Sequence, residues 1–291
     1  MKRLLIFSGL LLTLFPLVSN AVTLSWVGCG ITKKAFMQEL AVAYEKKTDI
    51  QIHLEGGGAV KGILAPAGHL ADMGGSCRYR IEGEAKGANI RFNPVAWDAL
   101  VVVVNKNNPV DTISMQQLRD LYSGKATNWR ALGGADQPID LLVRKGKISG
   151  VGLTIRRLVF GDEEAEFPQN HVYSSTGPIE EAIENNINAI GMTGISSARK
   201  RDFKILKLDG KEPNYDNIRK GKYLLYRPLY VITDRDSEYK NEMDRFLEFA
   251  HSKEGRDIIR NNGVVPYLEA LNLTTKQREQ WKTFRKPLAA R

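Results

Sequence analysis

Val22-Thr23-Leu24-Ser25-Trp26-Val27, followed at once by Gly28-Cys29-Gly30, decides how the chain is read. The first six residues read as a strand, and the two glycines mark a turn. Beyond the turn, Phe36, Leu40, Ala43 and Tyr44 recur at helical spacing, so the opening unit is strand, loop, helix. The unit then repeats: Ile50 to Leu54 alternates apolar and polar residues and stops at Gly56-Gly57-Gly58, and Val60, Ile63 and Leu64 predict another helix. Leu70-Ala71-Asp72-Met73 predicts a third strand, broken by Gly74-Gly75-Ser76-Cys77-Arg78. Three consecutive strands ending in small-residue loops indicate an α/β sheet. In open α/β sheets the ligand lies outside the carboxyl ends of the strands, where loops expose N–H groups and helix N-termini carry partial positive charge. An anion suits that setting, although each glycine taken singly also fits plain turn chemistry.

The pattern continues outward. Leu100 to Val104 is apolar on both faces, as in a buried strand, and Ser114 with Gln117 forms a capping box for a helix that Gly124 closes. Ile139 to Val143 is a strand ending at Arg144. The loop Lys145 to Ile148 then delivers Ser149-Gly150 to the start of a helix containing Ile155, Leu158, Val159 and Phe160. A fixed cation with a planar donor fork, placed just before a helix start, can reach the same anion as that helix; the alternative for Arg144 is a surface pair with a carboxylate. Ile179 to Ile187 reads as helix, Ala189 to Met192 as a short strand and residues 208–222 as an exposed connection. Leu229 to Thr233 is a strand, and Tyr239 to Ala250 a helix.

The formal charge is +9, from 42 Lys and Arg against 33 Asp and Glu. That excess favours an anionic partner. Its basic residues are scattered, with short clusters only at Arg199-Lys200-Arg201 and Lys282 to Arg291, so a solvated basic surface is expected and no nucleic-acid patch. Lys2 and Arg3 precede an apolar run from Leu4 to Val18 that ends in Ser19-Asn20-Ala21, the pattern of a secretion signal over residues 1–21 that is removed on export. The run is shorter than the roughly 20 apolar residues a bilayer span needs. The expected location is therefore periplasmic. Cys29 and Cys77, the only two cysteines, would form one disulfide in that compartment.

His53, His69, His171 and His251 lack metal-ligand spacing, and no nucleophile elbow, phosphate loop or dinucleotide fingerprint is present. The paired carboxylates Glu163-Glu164 and Glu180-Glu181 read as solvated helix faces, and Ser149 has no evident general base. A binding protein with no cofactor and no metal is expected, not an enzyme.

Several stretches together resemble one family. Asn93-Pro94-Val95-Ala96-Trp97-Asp98-Ala99, Asn128-Trp129 after Gly124, Tyr226-Arg227-Pro228-Leu229-Tyr230, and Ser252-Lys253-Glu254-Gly255 followed by Gly263-Val264-Val265-Pro266 are similar, in this order, to the periplasmic phosphate-binding proteins of phosphate ABC transporters. The resemblance implies a two-lobed periplasmic-binding-protein-like fold of type II with two crossovers. Residues 22–97 and 227–291 would form lobe one, and 98–226 lobe two. It also implies an anion held between the lobes, phosphate or a similar oxyanion, by a monomer that docks on a membrane ABC permease. The implied binding loops are Cys29 with Gly30-Ile31-Thr32, then Gly57-Gly58, then Ser76-Cys77-Arg78, with an interlobe clamp at Arg144 and Ser149-Gly150-Val151. The family's hydroxyls are replaced here by Gly57 and Val151, and its third-loop aspartate by Cys77. Selection of phosphate over sulfate then needs another proton acceptor, for which Glu55 is the candidate. These departures keep two other readings open: a binder of sulfate, molybdate or a small organic anion, and a periplasmic sensor or interaction protein. The same alignment sets the Cys29–Cys77 pair in two loops that face the cleft.

Overall fold

The opening stretch becomes β1 (Thr23–Gly28), which buries Leu24 and Trp26 completely. This computed structural model describes residues 22–284. The expected leader, 1–21, and the end of the basic run at Arg291 lie outside the described residues. β1 leads into α1 (Gly30–Thr32), which continues through a π-helical stretch (Lys33–Met37) into α2 (Gln38–Thr48). Then come β2 (Gln51–Gly56), α3 (Gly58–Ala67), β3 (Met73–Ser76) and the sixteen-residue β4 (Ile90–Asn105). The second lobe carries β5 (Thr112–Ile113), α4 (Met115–Tyr122), β6 (Asp140–Arg144), α5 (Gly150–Ile155), β7 (His171–Tyr173), α6 (Thr176–Asn185), β8 (Ala189–Gly194) and α7 (Ile195–Ala198). It also holds β9 (Phe203–Ile205), β10 (Lys207–Leu208) and α8 (Tyr215–Arg219). The chain returns through β11 (Tyr226–Asp234), α9 (Lys240–His251), α10 (Lys253–Asn261), β12 (Val265–Pro266) and α11 (Asn272–Phe284).

One curled mixed sheet runs in the order β2-β1-β3-β11-β4-β8-β6-β7. β4 belongs to both halves: Ile90 to Ala99 pair antiparallel with β11, and Leu100 to Val104 pair antiparallel with β8. Two crossing strands, β4 and β11, therefore join two α/β lobes, the arrangement of a type II periplasmic-binding-protein-like fold. Ser114 and Gln117 form the expected capping box on α4. The connection expected over 208–222 instead carries α8, because Ile218 is fully buried and anchors a turn of helix there.

The third strand begins three residues later than its apolar run suggested. Gly74 and Gly75 are strand residues, paired with β1 on one side and β11 on the other. A Cβ at Gly74 would lie 1.8 Å from the Gly62 carbonyl oxygen, and one at Gly75 would lie 2.0 Å from the Trp26 ring, so only glycine admits this close layering.

At the crossing, Arg227 of β11 stands opposite Asp98 of β4 and donates Nε and Nη2 to its Oδ2, at 3.2 and 3.0 Å. Both side chains are buried. Burial raises the Asp98 carboxyl against the pull of Arg227, while the guanidinium, despite burial, is held charged by Cys77, Asp98 and Cys29. Arg227 also donates Nη1 to the Gly150 carbonyl (3.1 Å) and to Thr154 Oγ1 (3.3 Å) on α5. Replacing Arg227→Leu strands a buried carboxylate and is expected to cost about 3–5 kcal/mol in urea unfolding. The double variant Arg227→Leu/Asp98→Leu should recover most of that loss; equal losses in the two would show that the pair is not coupled.

Candidate anion-binding site

The loops after β1, β2 and β3 are held by main-chain bonds. The Cys29 N–H donates to Gly75 O (3.0 Å), and the Gly57 N–H donates to Gly28 O (2.8 Å). Gly58 opens α3 with φ at +77°, a left-handed conformation in which a side chain is strained. Facing these loops across the cleft, β6 ends at Arg144, and Ser149 caps α5 by accepting from the Gly152 N–H at 3.2 Å. Between the two walls lies a cavity of about 560 Å³.

From lobe one the cavity is lined by Cys29, Gly30, Ile31, Gly57, Gly58 and Cys77. Arg144, Ser149, Gly150 and Val151 line it from lobe two. Nine of the residues expected in the site, and Cys29 beside them, are thus brought together. Thr32, Ser76 and Arg78 are not. Thr32 is fully buried behind its own loop. The Ser76 hydroxyl donates to Arg78 O (2.8 Å) and accepts from the Arg78 N–H (3.2 Å), so it closes its own turn. The Arg78 guanidinium forks onto Glu84 at 2.8 and 2.5 Å and also donates to Ile148 O and Tyr79 O, which uses four of its five N–H donors and leaves it 1% exposed, outside the cavity lining. Glu55, expected as a substitute acceptor, is exposed and paired with Lys61, outside the cavity.

The residues of the expected Cys29–Cys77 disulfide stand side by side, their sulfurs 2.6 Å apart. Both residues are buried. Burial pushes the Cys29 thiol up. The Cys77 hydrogen bond, the Thr32 N–H and hydroxyl, and the charge of Arg227 outweigh it and draw Cys29 down to about 6. The same hydrogen bond and burial push Cys77 well up.

Arg144 is a half-buried cation of this cleft, next to the exposed Lys145. Its Nη1 donates to Tyr173 O (3.1 Å), and among the described residues no carboxylate pairs with it. Burial lowers its pKa slightly against the two sulfurs, but a guanidinium remains charged. Gly150 and Val151 add the free N–H groups that a helix start leaves.

Sequence reading missed a second group of lining residues. Ser174, Ser175, Thr176 and Gly177 lie at the start of α6, and Ser175 takes the cap position without a side-chain cap bond. This run follows a strand and precedes a helix, as the other loops do. The signal was present but was passed over because the helix was started at Ile179. Lys34 and Glu180 also line the cavity and bond across it at 3.1 Å, and Lys200 of lobe two reaches Glu39 of lobe one at 3.1 Å. A wider groove of about 740 Å³ between α2 and α10 is shallow, and its Lys47 and Glu254 satisfy each other, so it offers no convergent donors. Among the described residues no group of three or more His, Cys, Asp or Glu gathers for a metal.

Two α/β lobes that meet over a donor-rich cleft define a solute-binding protein. Residues 27–254 match the PBP superfamily domain, and the chain belongs to that family, which is one of substrate-binding proteins and not of enzymes. The phosphate-binding protein PstS of Borreliella burgdorferi is 24% identical over 82% of this chain and 88% of that protein. The PstS of Bacillus subtilis is 25% identical over 81% and 79%. Among solved structures, a phosphate ABC transporter substrate-binding protein with bound phosphate from Clostridium perfringens superposes with a TM-score of 0.75 at 28% identity. The superposition covers 84% of this chain and 99% of the other. An ABC-type phosphate transport receptor from Vibrio cholerae gives a TM-score of 0.64 at 26% identity, with 84% and 99% covered.

Following thiolate absorbance against pH in the reduced protein should show one sulfur titrating near pH 6, a step absent from Cys29→Ser. A single midpoint at an ordinary thiol value would contradict the opposed shifts of the two sulfurs.

Proposed function

We propose that this protein is the extracytoplasmic receptor of a phosphate ABC transporter, a monomer that takes inorganic phosphate into the interlobe cleft and presents its closed form to a membrane permease. The observation that carries this reading is Arg144, a cleft guanidinium with no carboxylate partner among the described residues, set before the start of α5. Residues 22–97 with 227–291 act as the capturing lobe and 98–226 as the closing lobe. Loop N–H groups around Gly30, Gly57 and Gly58 receive the anion, and Arg144 with the Ser149-Gly150-Val151 turn completes its shell. Charge-assisted donors in a site shielded from water account for tight binding without a metal. The names of the relatives support phosphate as the ligand. The protein works outside the cytoplasm after export, without contact to nucleic acid. No helix among the described residues is long and apolar enough to cross a membrane.

Unfolding and refolding the protein strips carried ligand, after which calorimetric titration with phosphate should give saturable heat at micromolar or lower concentration. Arg144→Ala should weaken that binding by about tenfold to a hundredfold, the effect of losing one charge-assisted pair. Heat from sulfate or molybdate and none from phosphate would reassign the ligand. Silence with all three anions would reject oxyanion capture altogether.

A further inference from the structure

Among the described residues, Lys34 is the only cation that lobe one contributes to the cavity lining. Its ammonium crosses to lobe two, where it donates to Glu180 Oε2 at 3.1 Å and to Ser197 Oγ at 2.9 Å. From the opposite side, Lys200 Nζ reaches the Lys34 carbonyl at 3.1 Å. One residue thus joins the lobes through both its side chain and its main chain. Lys34 stands one helical turn beyond Gly30, in the continuous helical run that opens at Gly30 and passes through the π-helical stretch into α2. The loop that borders the cavity and the residue that crosses it therefore move as one piece.

The socket that receives Lys34 belongs wholly to lobe two. Glu180 is fully buried, its Oε1 accepts from the Thr193 and Ser197 hydroxyls at 2.5 Å each, and its Oε2 accepts from Arg201 Nε at 3.3 Å. Withdrawal of Lys34 leaves those three donors in place. A buried charge is costly when its partner leaves and nothing else answers it. Glu180 avoids that penalty, so the bond can open and close without disturbing either lobe. We propose that Lys34 is a positioning residue of the receptor, a latch that seats in the Glu180 socket, holds the lobes together over the captured anion and leaves the anion to other donors. The proposal rests on the oxyanion-receptor reading above. A bond made only when the lobes meet shifts the population toward the closed arrangement by its own strength. The Lys34 side chain is 33% exposed, which moderates that strength. If Lys34 held the anion directly, Glu180 would compete for it and repel the anion. Neutralising Glu180 would then tighten binding, whereas neutralising a socket weakens it.

The experiment is calorimetric titration of refolded, ligand-free protein with inorganic phosphate. Wild type is compared with Lys34→Met, Lys34→Arg, Glu180→Gln and the double variant Lys34→Met/Glu180→Gln. Lys34→Met should weaken binding by about tenfold, the effect of one charge-assisted bond reduced by solvent. Its urea midpoint should stay at the wild-type value, because Glu180 keeps Arg201. Lys34→Arg should recover most of the affinity. Glu180→Gln should weaken binding by a similar factor, and the double variant should lose no more than either single one. In small-angle scattering without phosphate, Lys34→Met should show a larger radius of gyration than wild type. Should Glu180→Gln fail to fold, the two Lys34 variants and the scattering decide alone. Wild-type affinity in Lys34→Met, or tighter binding in Glu180→Gln, overturns the latch and leaves oxyanion capture intact. A lowered urea midpoint in Lys34→Met with unchanged scattering makes Lys34 a static strut and also overturns it. Absence of phosphate binding by the wild type overturns the receptor reading, and this proposal with it.

Discussion

The buried pair of Arg227 and Asp98 is the interaction around which the molecule is arranged. It sits where β4 and β11 run side by side between the lobes, at the point where β4 exchanges β11 for β8 as its partner. Two ions taken out of water are costly unless the remaining donors and acceptors are satisfied. Arg227 meets that requirement by reaching the Gly150 carbonyl and Thr154 on α5, so the same guanidinium fixes the crossing and the position of the clamp helix. Its charge also acts on the two sulfurs of the cleft. The crossing, the far wall and the charge state of the cleft thus depend on one side chain.

The lobes are also joined away from the crossing. Lys34 bonds to Glu180 and Ser197, Lys200 to Glu39, and Arg78 to the Ile148 carbonyl, each from one lobe to the other. Glu180 has the strongest setting, since its charge is dry and answered by two cations and two hydroxyls. The exposed Lys200–Glu39 pair contributes little by comparison. These bonds and the two crossing strands are what hold the lobes in the arrangement seen.

Fold class was legible because periodicity and loop composition agree over most of the chain: strand, glycine loop and helix recur at Gly28, Gly56 and Arg144. What periodicity does not give is the direction a loop side chain takes. Cys77 points into the cleft, while its neighbours Ser76 and Arg78 turn away, one to close its own turn and the other to Glu84 six residues on. Nothing in the local sequence distinguishes those directions; they follow from which partner waits on each side. Gly74 and Gly75 were mistaken for a turn because glycine marks both turns and tight layering, and Trp26, distant in sequence, decides between them. Glu180 read as a solvated helix face, yet Lys34 and Arg201 draw it inside.

The layering of Trp26 on Gly28 and Gly75, and of Gly62 on Gly74, has an evolutionary meaning. One wall of the cleft is shaped by main chain whose position depends on atoms that are absent, so few substitutions at those glycines are admitted. Its form is therefore held by exclusion, independently of which ligand it serves. The positions free to vary without disturbing that frame are cavity-lining ones that carry side chains, Cys29, Cys77 and Val151 among them. A lineage carrying this scaffold can alter what it captures through single replacements at such points without first rebuilding the receptacle.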